Sequence, residues 1–222
     1  LEYTKHFLEK SITYDRNGNI KTLQRTAGGT LVDNLSYTYT GNQLTGLTES
    51  ILANSGGNIY LSGSSTAGTY TYDKNGNMIN DSRKALSFTY NLVNLLSEVK
   101  TSTGTLKAKY SYLVDGTKLR VLDNGGMNGY DYLGSLTYKK NSAGLQLESA
   151  YFGGGVIRIN TARTEVNYFL TDHLGSVRVI VDSMGRVQER NDYYPFGARH
   201  VKSHYAQQVG NRYKYNGKEK QV

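Results

Sequence analysis

Apolar and polar residues alternate along most of the chain with a period of two. In "TYTYDKNGNMI" (residues 69–79), Tyr70 and Tyr72 stand two apart with a threonine between them, a turn-forming run follows, and the chain becomes apolar again at Met78 and Ile79. Residues two apart on a strand share one face, whereas on a helix they lie about 200° apart, so this spacing predicts a strand with a tyrosine face and a Thr/Ser face. The pair recurs, once with phenylalanine, at Tyr37 and Tyr39, Phe88 and Tyr90, Tyr110 and Tyr112, Tyr130 and Tyr132, and Tyr213 and Tyr215. Side by side, such strands predict an aromatic ladder in which each cross-strand pair contributes roughly 0.2–1 kcal/mol. Each phenol oxygen then needs water or a hydrogen-bond partner.

The residues after the tyrosines predict the corner. In Asp73-Lys74-Asn75-Gly76 the Asp side chain accepts from the backbone two residues on, Asn75 tolerates the bridge region, and Gly76 takes a left-handed conformation without a Cβ clash. That is a type I turn closed by a glycine bulge, a common joint between antiparallel strands. Asp15-Arg16-Asn17-Gly18 repeats it, and Asp182-Ser183-Met184-Gly185 is a third copy between "VRVIV" and "RVQER". The predicted turn residues are therefore Asp15, Asn17, Gly18, Asp73, Asn75, Gly76, Asp182 and Gly185.

Helical signal is weak. "FTYNLVNLLSEVKTSTG" scans as two helical turns or equally as a hairpin, and "SYLVDGTKLRVLDNGG" alternates and is broken by glycine. The Gly/Ser-rich stretch "LANSGGNIYLSGSSTAG" (52–68) reads as a long loop. The expectation is an all-β chain of antiparallel hairpin repeats, loosely spaced at about 20 residues. No second domain is needed over residues 1–222.

Composition agrees with strands and turns: 20 tyrosines, 25 glycines, a single proline and no tryptophan in 222 residues. The formal charge of +8 favours acidic partners, but the basic residues are scattered, and no nucleic-acid-reading motif accompanies them. Lys214, Lys218 and Lys220 read as a solvated tail. With no cysteine, disulfides and thiolate zinc sites are excluded. No apolar run of about 18 residues offers a membrane span. The opening "LEYTKHFLEK" lacks a signal-peptide core, and Leu1 in place of Met points to a segment of something longer.

The pattern Tyr-x-Tyr-Asp-x-x-Gly-Asn-hydrophobic resembles the YD repeat of Rhs-type proteins, whose relatives include toxin-complex shell subunits and the teneurins. "NYFLTDHLGSVRVIVDSMGRV" (167–187), "NDYYPFGAR" (191–199) and "NRYKYNGKE" (211–219) look like the Rhs repeat-associated core signature that ends the repeat region. The resemblance implies a long antiparallel ribbon that coils into a hollow shell around a variable C-terminal cargo, often a toxin. In the family, an Asp-containing self-cleavage region follows the repeats; this chain ends at "YNGKEKQV", before any such region. The resemblance also implies a secreted or cell-surface bacterial protein, with the remainder of the parent chain and the cargo as partners.

Candidate chemistry is sparse. Asp172, His173 and Ser176 in "TDHLGSVR" supply the side chains of a hydrolytic triad, but residues so close in sequence seldom meet in that geometry. His200 and His204 are four apart with no third metal ligand beside them. Asp-x-Asn-Gly-Asn begins like a calcium loop, but its glycines fall at the fourth place, and Thr26 and Lys84 stand where the bidentate Glu belongs. The triple glycine of "YFGGGVIRI" reads as a β-bulge or a close strand contact, and Pro195 as a strand end or turn. The expectation is a structural segment with no catalytic, cofactor or metal residues. The alternative is a carbohydrate-binding adhesin that stacks sugars on tyrosine faces. Open sheet edges predict some self-association.

Overall fold

The computed structural model describes residues 7–51, 67–159, 163–199 and 211–219. The chain divides into two compact units, residues 1–90 with 193–202, and residues 91–192 with 203–222. The first holds β1 (Glu9–Tyr14), β2 (Ile20–Ala27), β3 (Thr30–Thr40), β4 (Gln43–Glu49), β5 (Ala67–Tyr72), β6 (Met78–Asp81) and β7 (Leu86–Tyr90). The second holds β8 (Leu96–Thr101), β9 (Leu106–Tyr112), β10 (Lys118–Leu122), β11 (Gly129–Leu133) and β12 (Leu136–Asn141). It continues with β13 (Gly144–Phe152), β14 (Gly155–Ile159), β15 (Thr164–Thr171), β16 (Val177–Asp182) and β17 (Val187–Arg190). Within each unit every strand pairs antiparallel with its neighbours in the chain, so each is a meander. Among the described residues there is no α-helix, only short 3-10 turns at Asn124–Gly126 and Tyr215–Gly217.

The period-two pattern explains the strands. Along β9, Leu106, Ala108, Tyr110 and Tyr112 are half-buried while Lys107, Lys109 and Ser111 are exposed. In β5, Tyr70 and Tyr72 lie on one half-buried face and Thr69 and Thr71 on the exposed one. The first unit's core is Leu23, Leu35 and Leu47, with Ile12, Ile20, Tyr37 and Tyr70 packed against it. Leu23 sits opposite Leu35 and Leu47 opposite Tyr37, so the hydrophobic faces of three successive strands meet by register. In the second unit Val99, Val156, Val177 and Ile180 are buried.

The corners share one geometry. In the turn that starts at Asp73, the Asp73 amide donates to the Asn77 carbonyl at 2.9 Å, the Gly76 amide to the Asp73 carbonyl at 3.1 Å, and Gly76 has φ +86°. Asp73 Oδ1 accepts from the amides of Asn75 and Asn77, and Asn77 Nδ2 donates to Oδ2. The Asn77 side chain thereby holds the Asp73 carboxyl below the ordinary Asp value, and Asn19 does the same for Asp15. The same two backbone bonds close the turns starting at Asp15, Asn91, Thr101, Leu113, Asp172, Asp182 and Tyr194. The fourth residue has positive φ each time, at Gly18, Asn94, Gly104, Gly116, Gly175, Gly185 and Gly197. Gly76→Val is expected to cost on the order of 1–3 kcal/mol, because a β-branched residue is strained at that φ. An unchanged melting temperature would count against this corner.

Several sequence readings change. The ambiguous "FTYNLVNLLSEV" is no helix: β7 runs to Tyr90, β8 starts at Leu96, and Asn91 and Asn94 supply a corner that a helix reading ignores. Ala67 and Gly68, read as the end of a loop, open strand β5, where Gly68 lets the backbone pass Arg83; a Cβ there would stand 2.8 Å from the Arg83 Cβ. The rest of that reading, residues 52–66, lies outside the described residues, as do His200, His204 and Lys220. Tyr213 and Tyr215 do not form a strand pair. Tyr213 makes an isolated bridge with Glu219, and Tyr215 begins a 3-10 turn.

Candidate functional site

The tyrosine faces carry the first functional geometry. Tyr39 donates its hydroxyl to the Ile20 carbonyl at 2.9 Å, and Tyr72 to Leu44, Tyr90 to Met78 and Tyr112 to Leu96 at 2.8 Å each. Each acceptor lies at or next to the first residue of the preceding strand, just past its corner. The second tyrosine of these four pairs therefore ties its strand to the hairpin before it, which answers the need of a half-buried phenol for a partner. The first members, Tyr37 and Tyr70, pack on the leucine core. Phe88 takes the first place on β7, and Tyr110 stacks on Tyr112 with ring centroids 6.5 Å apart.

On the second unit the tyrosine face receives residues 211–219. Arg212 lies 3.7 Å from the centroid of the Tyr130 ring and pairs with Glu148 at 3.1 Å and Glu219 at 3.3 Å. Glu219 also accepts from the Tyr132 hydroxyl at 2.9 Å and from Lys118 Nζ at 2.9 Å. The Tyr213 ring sits 4.7 Å from Tyr151 and 6.3 Å from Phe169. The Lys214 ammonium pairs with Glu189, which is fully buried, and the Lys214 carbonyl accepts the Val177 amide at 3.0 Å. Lys214 is thus an anchor, which corrects its reading as part of a solvated tail; Lys218 is exposed. The segment crosses side chains from β10, β11, β13, β15 and β17, tying distant parts of one meander together.

The first unit carries an equivalent closure made by residues 193–199. Tyr194, 1% exposed, opens a turn in which Pro195 takes the second place, suited to its fixed φ. Its hydroxyl donates to the Thr26 carbonyl at 2.6 Å, and the Phe196 amide to Glu9 Oε2 at 3.2 Å. Its ring lies under Arg25, 5.7 Å from guanidinium carbon to centroid. Arg25 pairs in turn with Glu9 at 2.6 Å and Asp33 at 3.5 Å, all three side chains being at most 1% exposed.

The Asp172, His173 and Ser176 set does not assemble as a triad. Asp172 Oδ1 accepts from the Leu174 and Ser176 amides at 3.0 Å, which is the corner chemistry of Asp15 and Asp73. His173 is exposed at the tip of that turn. Ser176 is fully buried, and its Oγ accepts the Asn216 amide at 3.0 Å, so the serine holds the returning segment. Among the described residues no group of three or more His, Asp or Glu is placed to hold a metal ion. Within the triple glycine, Gly153 and Gly154 form the corner between β13 and β14, and Gly155 is the close strand contact.

Sequence reasoning missed Arg25, Glu9, Asp33, Glu189, Arg212 and Glu219. Charged residues two or more apart give no local signal of burial, and only their place in the three signature strings singles out Arg212, Lys214 and Glu219.

Burial also sets the titration of the phenols. It raises the values of Tyr39, Tyr72, Tyr90, Tyr110, Tyr112, Tyr132 and Tyr213, and pushes Tyr194 up to about 12. A folded value above the unfolded one, near 10, means that the contribution to stability is complete below about pH 10 and is lost as pH rises through the folded values. Phenolate absorbance is therefore expected to lag the free-tyrosine curve until the β signal is lost. Full ionisation near pH 10 with an intact β spectrum would contradict the buried phenols.

No protein-family profile matches the sequence, and no curated protein matches it. Solved structures do match in fold. A chain of the Photorhabdus luminescens Tc holotoxin pore aligns over 95% of this chain at a TM-score of 0.52 and 13% identity. The TcdB2-TccC3-Cdc42 crystal structure aligns over 97% at 0.52 and 18% identity. That of TcdB2-TccC3 without its hypervariable C-terminal region aligns over 96% at 0.52 and 13% identity. The chain spans only 15–16% of the length of those chains. Among the described residues no helix is long and apolar enough to cross a membrane.

Proposed function

We propose that this chain is a non-enzymatic wall segment of an Rhs-type β-shell, and that the parent protein encloses a C-terminal toxin or effector on a secreted or cell-surface route in a bacterium. In this reading residues 1–222 form one repeat domain built from the two units, and residues 167–219 end it. The observation that carries the proposal is the way the three signature strings are used. Residues 193–199 and 211–219 each return to their own unit and fasten to buried charges, while "DHLGS" makes a corner. Side chains that would do chemistry elsewhere here hold backbone.

The likeness to a small part of the Tc toxin chains supports a wall role. A ribbon of this kind needs what the residues provide: corners that close themselves, phenols that link each hairpin to the last, and a terminal segment that binds several strands at once. The purified segment is expected to show no hydrolase or nuclease turnover. Turnover that disappears in His173→Ala would sink the proposal.

A further inference from the structure

Two neighbouring corners of the second unit carry apolar residues where the shared turn form favours polar ones. In the corners starting at Asp15, Asp73 and Thr101 the two tip residues are Arg16 and Asn17, Lys74 and Asn75, and Ser102 and Thr103, all suited to a bend in water. In those starting at Asn91 and Leu113 the tips hold Leu92, Val93 and Val114, with Asp115 as the one charge. Leu92 and Val114 are fully exposed, and Val93 is 65% exposed. One exposed aliphatic side chain needs no explanation, whereas a cluster of them marks a contact surface.

Topology makes these residues a cluster. One corner precedes β8 and the other joins β9 to β10, so both lie on the same edge of the meander, and a Cβ on Gly116 would stand 3.6 Å from Leu95 Cδ1 of the neighbouring corner. Leu133, also 65% exposed, ends β11 at the next corner of that edge, opposite Leu136. Corners on one edge recur every second strand, about 9–10 Å apart. The result is a ridge of aliphatic tips separated by gaps wide enough for a Leu or Val side chain. A ridge has no pocket for a small ligand; it fits a surface whose own tips have the same spacing.

We propose that this ridge docks on the same ridge of a second copy of the chain, the tips of each copy seated between those of the other about a two-fold axis. A second copy carries the required spacing by construction, and Asp115 is the only tip charge that must stay in water. With Leu113, which is 49% exposed, five aliphatic side chains offer on the order of 600 Å² per copy, so pairing removes about 1,200 Å² from water, the lower end of specific interfaces. An interface of that size gives a reversible pair with a Kd on the order of 10 μM. The contact is made by side chains at the corners, not by the open backbone groups of an edge strand, and it stands or falls apart from the wall reading.

Sedimentation equilibrium of the 222-residue chain between about 1 and about 200 μM tests the assignment. A monomer–dimer equilibrium is expected that tightens about threefold or more between about 0.05 and 0.5 M NaCl, because salt screens the repulsion of two chains of charge +8 and leaves the aliphatic contact intact. Leu92→Ser combined with Val114→Ser places serine where Ser102 and Ser183 stand in the same turn form. This variant is expected to keep the β spectrum of the parent and to weaken the pair at least about tenfold. Met184→Ser, at a 77% exposed tip on the opposite edge, should leave the affinity within about twofold. A chain that stays monomeric throughout, a pair that weakens in salt, a pair that survives the double substitution, or one that Met184→Ser weakens equally would each overturn the proposal. Co-sedimentation with phosphatidylcholine vesicles that the double substitution abolishes, with no dimer in solution, would overturn it in favour of a bilayer surface.

Discussion

Gly155→Ala is expected to destabilise the second unit by about 3 kcal/mol or more, among the largest effects of any single methyl group in the chain. A Cβ at Gly155 would stand 2.1 Å from the Asn167 carbonyl oxygen, 2.9 Å from Phe152 Cζ and 3.0 Å from the Tyr168 Cα. Two of those atoms are backbone of β15, which is held on both sides by β14 and β16 and cannot retreat without breaking its ladder. The neighbouring Gly154 provides the control, because a Cβ there meets only Phe152 Cε2 at 3.9 Å. Gly154→Ala should fall within about 0.5 kcal/mol of the parent. Urea unfolding of the two variants side by side reads the difference, and equal midpoints would refute the close approach of β14 to β15.

Arg25→Met is expected to cost about 3–5 kcal/mol, since it leaves two carboxylates buried without their cation. Glu9 and Asp33 are at most 1% exposed, so water cannot take over the role of the guanidinium. The loss should be largely recovered when Glu9→Gln and Asp33→Asn are added, because replacing a whole buried ionic group is far less costly than breaking it. Tyr194 stands beside this cluster, so release of residues 193–199 should accompany the single substitution and show as faster proteolysis there. A loss below about 1 kcal/mol would mean that the cluster is solvated.

What could be read from the sequence was local. The Asp-x-x-Gly corners are written in five consecutive residues, and the tyrosine face in every second one, so both follow from short-range sterics and the pleat. Corners without Asp were harder. Asn94 takes positive φ where a glycine is expected, the Thr101 hydroxyl accepts the Thr105 amide in place of a carboxylate, and the turns at Leu113 and Tyr194 start on residues with no such acceptor. The run of three glycines looks uniform, yet only Gly155 faces another strand at close range.

The closures were invisible for a different reason. Tyr194 reaches Thr26 and Lys118 reaches Glu219 across 168 and 101 residues of chain, and no window of sequence contains both partners. Tyr213 shows the cost of a purely local rule. Its spacing from Tyr215 copies the strand pairs, but its ring packs at a tilt against Tyr151 and Phe169 from a segment that lies across the strands. The phenol partners were foreseeable in kind and not in identity, since a hydroxyl at the strand end reaches whichever carbonyl the register presents.

The wall reading is tested most directly by limited proteolysis of the full-length parent chain carrying a tag in the region downstream of this segment. The account predicts that the tag survives protease that digests the same downstream region expressed alone. Digestion of the tag at the same rate in both would contradict it.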